Sequence, residues 1–227
     1  MRERGHVRRW AAAGVATVAL AGGAATYTPL FAADDIRIQG GAVPDAEVLA
    51  IAGLDARTNV FHLDERLIEG RLRDDPRILD ATVRTSLPDT IRISIVPRTA
   101  VAIADRSLVG QDGVVIGPSI AEGGSLPRIH GDVPTGAATA SAMSPGLRRS
   151  VEAIVVAADG EIRVRLEEGP TAVLGDGTQL EAKAASLAAL LRWAAGAGVA
   201  IAAADVSVPG SPSVELERGK AAEPRST

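Results

Sequence analysis

The sequence predicts an α+β protein with a single N-terminal transmembrane helix and a β-rich body in two units. Three observations carry this. An uncharged run, Trp10–Ala33, follows a basic start. Residues 34–98 show helix and strand periodicities in the order β-α-α-β-β, and residues 99–217 show short strand patterns around one long helical pattern.

Crossing the hydrocarbon core takes roughly 20 apolar residues, which Trp10–Ala33 supplies. Arg2, Arg4, Arg8 and Arg9 precede it and Asp34 and Asp35 follow. The positive-inside tendency therefore assigns residues 1–9 to a short cytoplasmic tail, 10–33 to a membrane anchor and the rest to the extracytoplasmic side. Trp10 and Tyr27 lie near the two ends, where aromatic rings favour the interface. A cleaved signal peptide is the alternative, with small residues such as Ala21 and Gly23 offering a cleavage site. The run exceeds a usual apolar signal core, which favours the anchor, and either reading exports the body.

Composition excludes several function classes. The chain has 227 residues, no cysteine and a net charge of −4. Disulfide scaffolds, thiolate metal sites and cysteine nucleophiles are ruled out. The basic residues of the first nine positions leave the remainder more acidic still, which argues against a phosphate-backbone ligand.

Asp34-Asp35-Ile36-Arg37-Ile38-Gln39-Gly40 alternates polar and apolar and stops at Gly40-Gly41, a short strand. Pro44 opens a helix carrying Val48, Leu49 and Ala52, which Gly53 ends. Asp64 caps a second helix, with Leu67, Ile68 and Leu72 expected inward, and Asp74-Asp75-Pro76 closes it. Leu79, Ala81 and Val83 belong to one strand. Leu87-Pro88-Asp89-Thr90 turns into another, in which Ile91, Ile93 and Ile95 alternate with Arg92 and Ser94.

These segments resemble the POTRA module and, in particular, the FtsQ/DivIB family of bacterial division proteins. The resemblance rests on Ile36-Arg37-Ile38-Gln39-Gly40, on Gly53-Leu54 followed by Asn59-Val60-Phe61-His62-Leu63-Asp64, on Pro76–Arg84 and on Leu87–Ile93. Arg77, Pro97 and Ala100 depart from the family pattern.

Residues 99–103 continue extended, and Leu108-Val109 and Val114–Ile116 flank a hairpin-like Gly110-Gln111-Asp112-Gly113. Leu126–Gly131 is similar to a family segment, and residues 132–143 read as a variable loop. Ser144-Pro145 starts a helix with Leu147, Val151 and Ile154 on its inner face. Glu161–Glu167 is an amphipathic strand, and Gly169-Pro170 leads into a strand from Thr171 to Leu174. Thr178 and Glu181 form a capping box for a helix running to about Ala195. Asp205–Pro209 and Ser213–Glu217 read as the last strands, and residues 218–227 as a disordered tail. This C-terminal succession, with Lys183 near the helix start, again resembles the family.

The sequence offers no catalytic, cofactor or metal constellation. His6, His62 and His130 stand alone, and no metal-ligand spacing, phosphate loop or nucleophile elbow occurs. Glu167 and Glu168 point to opposite faces of a strand, unsuited to paired-carboxylate work. Lys183 reads as solvated or structural. Arg163 and Arg165 share one strand face and, with Ser213, Val214, Glu215 and Leu216, are the candidate partner-binding residues.

The resemblance implies a non-enzymatic, bitopic scaffold of the division machinery at the septum. Its implied partners are FtsB/DivIC-like and FtsL-like proteins and septal wall-synthesis enzymes, with no cofactor, small-molecule substrate or nucleic acid. The last strand is expected to be an open sheet edge that pairs with a partner strand. A POTRA-bearing secretion or assembly protein and a secreted cell-wall enzyme are the alternatives.

Overall fold

A computed structural model describes residue 33 and residues 35–41, 43–55, 58–118, 126–167 and 169–217. The expected cytoplasmic tail, the anchor up to residue 32 and the C-terminal tail lie outside the described residues. Among the described residues, no helix is long and apolar enough to cross a membrane. The chain divides into two compact units after Pro97.

The first unit has strand β1 (Asp35–Gln39), helix α1 (Asp45–Ala52), a 3-10 turn (Val60–His62), helix α2 (Glu65–Arg73) and strands β2 (Ile78–Ser86) and β3 (Thr90–Pro97). The sheet order is β1-β3-β2, with β1 parallel and β2 antiparallel to β3. The alternation in β3 has the expected consequence: Ile91, Ile93 and Ile95 are buried against Val48, Ile68, Leu72 and Val83. Asp64 caps α2 by accepting from the Leu67 amide at 3.1 Å. Leu67, expected inward, is instead 53% exposed. Ile68 and Leu72 are the residues of α2 that the sheet buries.

The second unit is an open nine-stranded sheet with helices packed on it. Its strands are β4 (Ala100–Ala104), β5 (Ser107–Gly110), β6 (Val115–Pro118), β7 (Arg128–His130), β8 (Val151–Val156), β9 (Ile162–Leu166), β10 (Thr171–Gly175), β11 (Ile201–Asp205) and β12 (Ser213–Leu216). Its helices are α3 (Val133–Ala142), α4 (Pro145–Arg149) and α5 (Leu180–Ala197). The sheet order is β12-β11-β10-β9-β8-β7-β4-β5-β6. Register aligns one row across six strands: Ile129, Ile154, Val164, Ala172, Ala204 and Val214. The first five are buried beside Leu187 and Ala184 of α5, and Val214 packs against the same cluster. The neighbouring register rows expose Arg163 and Arg165, so this half of the sheet buries one face and opens the other.

Four sequence expectations are corrected here. Residues 132–143 are not a loop: Asp132 accepts from the Thr135 amide at 2.9 Å, Pro134 sits in the first turn, and Val133–Ala142 is helical. Its inner face is Gly136, Ala137, Thr139 and Ala140, which lets α3 lie close to Ile129. The helix at Ser144 stops at Arg149, and Val151 and Ile154 belong to β8, because a β-branched run favours a strand. Strand β11 ends at Asp205, and residues 206–209 turn. Thr178 makes no capping box: its amide and hydroxyl both donate to Asp176 Oδ1, at 3.1 and 2.6 Å. A carboxylate two residues back is the stronger acceptor.

Candidate partner-binding edge

Strand β12 lies at one edge of the nine-stranded sheet and pairs antiparallel with β11. The Glu217 amide donates to the Ala200 carbonyl at 2.9 Å. Alternation along the strand then turns the main-chain groups of Ser213 and Glu215 toward β11 and those of Val214 and Leu216 outward. Leu216 is 42% exposed. No side chain among the described residues hydrogen-bonds the backbone of β12, and none of them pairs with its outer amides and carbonyls.

Helix α5 and the β11–β12 connection support this edge. Ser186 Oγ donates to the Pro209 carbonyl at 2.8 Å, tying the connection to the helix. Asp205 Oδ1 accepts from the Ser207 amide at 2.9 Å and shapes the turn out of β11. Hydrogen bonding from Ser207 holds the Asp205 carboxyl below its ordinary range. At the helix start, buried Lys183 donates to the Asp176 carboxylate at 2.7 Å and to its carbonyl at 2.8 Å. Lys183 thus pins the helix entry and is not solvated. The Lys183 ammonium and the Thr178 hydroxyl push the Asp176 carboxyl well below the usual carboxylate range. Beside β12, Ser186, Ala189, Leu190, Trp193, Pro209 and Pro212 line a hollow of about 420 Å³. Trp193 and Val208 are exposed. Sequence reading missed this hollow, because Trp193 lies on α5 and the prolines in the turn, and only the fold joins them.

The β2 edge of the first unit is built oppositely. Thr85 donates its amide and hydroxyl to Glu65 Oε1, at 2.7 and 2.8 Å. The Val83 amide donates to Glu69 Oε1 at 2.9 Å, and Arg73 Nη2 donates to the Ala81 carbonyl at 2.8 Å. Asp80 accepts from the Ala81 amide and Arg84 donates to the Val83 carbonyl. Glu65, Glu69 and Arg73 stand at i, i+4 and i+8, one face of α2. That spacing was visible in the sequence, but its target was not.

Arg163 and Arg165 share the open sheet face with Ser213 and Glu215, but on β9, three strand spacings or roughly 14 Å away. Each is engaged: Arg165 binds Glu152 of β8 at 2.8 Å, and Arg163 pairs with Glu161. The structure therefore places them outside the β12 edge. Among the described residues, no group of histidine and acidic side chains could hold a metal ion.

Comparison with known proteins decides the family. Residues 31–98 match the POTRA domain of FtsQ type, and residues 100–206 match the C-terminal domain of the cell division protein FtsQ/DivIB. The chain belongs to the FtsQ/DivIB family. It is 31% identical over 201 residues to the cell division protein FtsQ of Mycolicibacterium smegmatis, covering 82% of this chain and 59% of that protein. FtsQ of Mycobacterium tuberculosis is 32% identical over 196 residues, covering 78% of this chain and 62% of its own length. FtsQ of Bradyrhizobium diazoefficiens is 35% identical over 78 residues, 33% of this chain and 23% of that one. The chain thus spans about three fifths of the length of the mycobacterial FtsQ relatives. The FtsQ/DivIB match ends at residue 206, ahead of β12.

Proposed function

We propose that this FtsQ/DivIB chain is a non-catalytic scaffold of the cell division machinery, anchored by residues 10–33 with its two units on the extracytoplasmic side of the plasma membrane at the septum. In this reading β12 accepts a strand from an FtsB/DivIC-like protein. An FtsL-like protein and septal wall-synthesis enzymes join through that complex. The observation that carries it is the contrast between the β2 and β12 edges: β2 is capped by side chains and, among the described residues, β12 is not. An uncapped edge is a template for another strand.

The absence of cysteine allows a clean test. Full-length chain carrying Leu216→Cys or Arg84→Cys is treated in its own membranes with a short thiol-to-amine crosslinker. Position 216 captures the FtsB/DivIC-like protein, and position 84, on the capped edge, does not. Val214→Pro removes an outward amide and weakens co-purification while the fold persists. Capture from position 84 alone, or undiminished co-purification of a folded Val214→Pro chain, refutes the edge reading.

A further inference from the structure

Strands β4, β7 and β8 are mutually parallel. Their carboxyl ends therefore open on the same side, the place where open sheets form binding crevices. A cleft of about 390 Å³ lies at the β4 and β7 ends, lined by Ile103, Asp105, Arg106, Arg128, Ile129 and His130. Arg128 and His130 occupy the exposed positions of β7. Arg106 sits in the two-residue β4–β5 turn, where Asp105 and Arg106 both have positive φ, 44° and 68°. That turn geometry favours Gly, Asn or Asp, so an arginine there is held in an uncommon conformation that sets its side chain at the cleft.

Charge compensation distinguishes this cleft from the adjoining sheet. Register rows run Arg128–Ala153–Arg165 and His130–Val155–Arg163 across the open face. At the β9 end both arginines are neutralised, by Glu152 and Glu161. At the β7 end Arg106, Arg128 and His130 make no side-chain hydrogen bond or ion pair with any described residue. Two free guanidinium groups and an imidazole thus face one crevice, with Asp105 the one acid among its described lining residues, in a chain of net charge −4.

We propose that this cleft binds a carboxylate-bearing, acidic segment of a partner polypeptide. Guanidinium groups match the planar carboxylate in forked hydrogen bonds. Ile103, which aligns with Arg128 and is mostly buried but stands outside the helix-covered core cluster, gives an aliphatic floor for the stem of a glutamate. Asp105 disfavours a densely charged phosphate polymer or an anionic lipid sheet. The surface is separate from the β12 edge, with five strands between β7 and the edge counting β12 itself. It therefore allows a second contact alongside strand addition.

The test uses the full-length chain in neutral detergent, with hexaglutamate, hexaglutamine, inorganic phosphate and phosphatidylglycerol vesicles as probes. Titration is followed by the backbone resonances of residues 103–106 and 128–130. Hexaglutamate shifts these resonances and hexaglutamine does not. Arg106→Gln with Arg128→Gln weakens hexaglutamate binding about tenfold or more, while circular dichroism confirms the fold. Arg149→Gln, outside the cleft, leaves binding unchanged and serves as the charge-loss control. Preferential binding of phosphate or vesicles, a hexaglutamate affinity that the paired variant retains, or an equal loss in the Arg149 variant overturns the proposal.

Discussion

Replacing both Glu65 and Glu69 with alanine opens the β2 edge. Glu65 accepts from the Thr85 amide and hydroxyl, and Glu69 from the Val83 amide. Hydrogen bonds to charged groups contribute about 1.5–3 kcal/mol when well shielded. These carboxylates are 32% and 14% exposed, and water can reach a freed edge amide, so about 1 kcal/mol per glutamate is the fitting scale. Glu65 also lies in the first turn of α2, where an acid adds about 0.3–1 kcal/mol through the helix dipole. The double variant should lose roughly 2–3 kcal/mol. For a unit this small that lowers the melting temperature by about 10 °C or more. The freed amides also pair with a second copy, so sedimentation velocity of residues 34–217 shows concentration-dependent association absent from the parent. Glu65→Gln with Glu69→Gln keeps acceptors in place and remains closer to the parent in both assays. A double alanine variant with unchanged melting and no association would refute the view that these side chains close the edge.

Two further outcomes follow from local geometry. Gly131 has φ +99°, and a Cβ there would collide with the Val156 carbonyl oxygen. Gly131→Ala should destabilise the second unit by about 2 kcal/mol or more in urea unfolding, since backbone must move. The carboxyls of Asp132, Asp176 and Asp205 are all held below their ordinary range, by Thr135, by Lys183 and Thr178, and by Ser207. A depressed native value contributes stability above the unfolded value of about 4 and loses it as pH falls further. Denaturant midpoints should therefore be flat from neutrality to about pH 5 and fall below pH 4, with a shallower acid limb in Asp176→Asn.

Strict alternation made β3 legible, because every second residue between Ile91 and Ile95 is a large aliphatic that the sheet buries completely or nearly so. The cap at Asp64 and the amphipathic β9 were legible for the same reason: local pattern and tertiary demand agree. Helix α3 was hidden because its buried face is Gly136, Ala137, Thr139 and Ala140, which carry little hydropathy contrast. The informative marks there were Asp132 and Pro134, a cap and a first-turn proline. The apolar run after Ser150 suited helix or strand equally, and only sheet register decided it. For the candidate site, the alternation in Ser213–Leu216 indicated a strand, and its place at the edge came from the topology. Glu161 could be foreseen as a partner of Arg163 from its spacing. Glu152, which comes from β8, could not.

The length of β12 limits what strand addition alone can do. Two outward residues, Val214 and Leu216, offer at most two amides and two carbonyls. At about 1 kcal/mol net each, these bonds contribute roughly 4 kcal/mol, against about 8 for a micromolar complex before association entropy is counted. Strand pairing then sets register, and side-chain burial must supply the rest. One surface able to do so is the hollow formed by Trp193, Leu190, Pro209 and Pro212, where Trp193 is 53% exposed. Truncating a buried interface tryptophan typically costs 2 kcal/mol or more, about a 30-fold loss. Trp193→Ala should thus weaken binding of the FtsB/DivIC-like partner by about 30-fold, at little cost to the fold because the ring is half in solvent. Calorimetric titration of the partner's extracytoplasmic part into wild type, Trp193→Ala and Val214→Pro separates the contributions. If Val214→Pro abolishes binding while Trp193→Ala leaves it unchanged, the strand alone carries affinity and the hollow has no part in it.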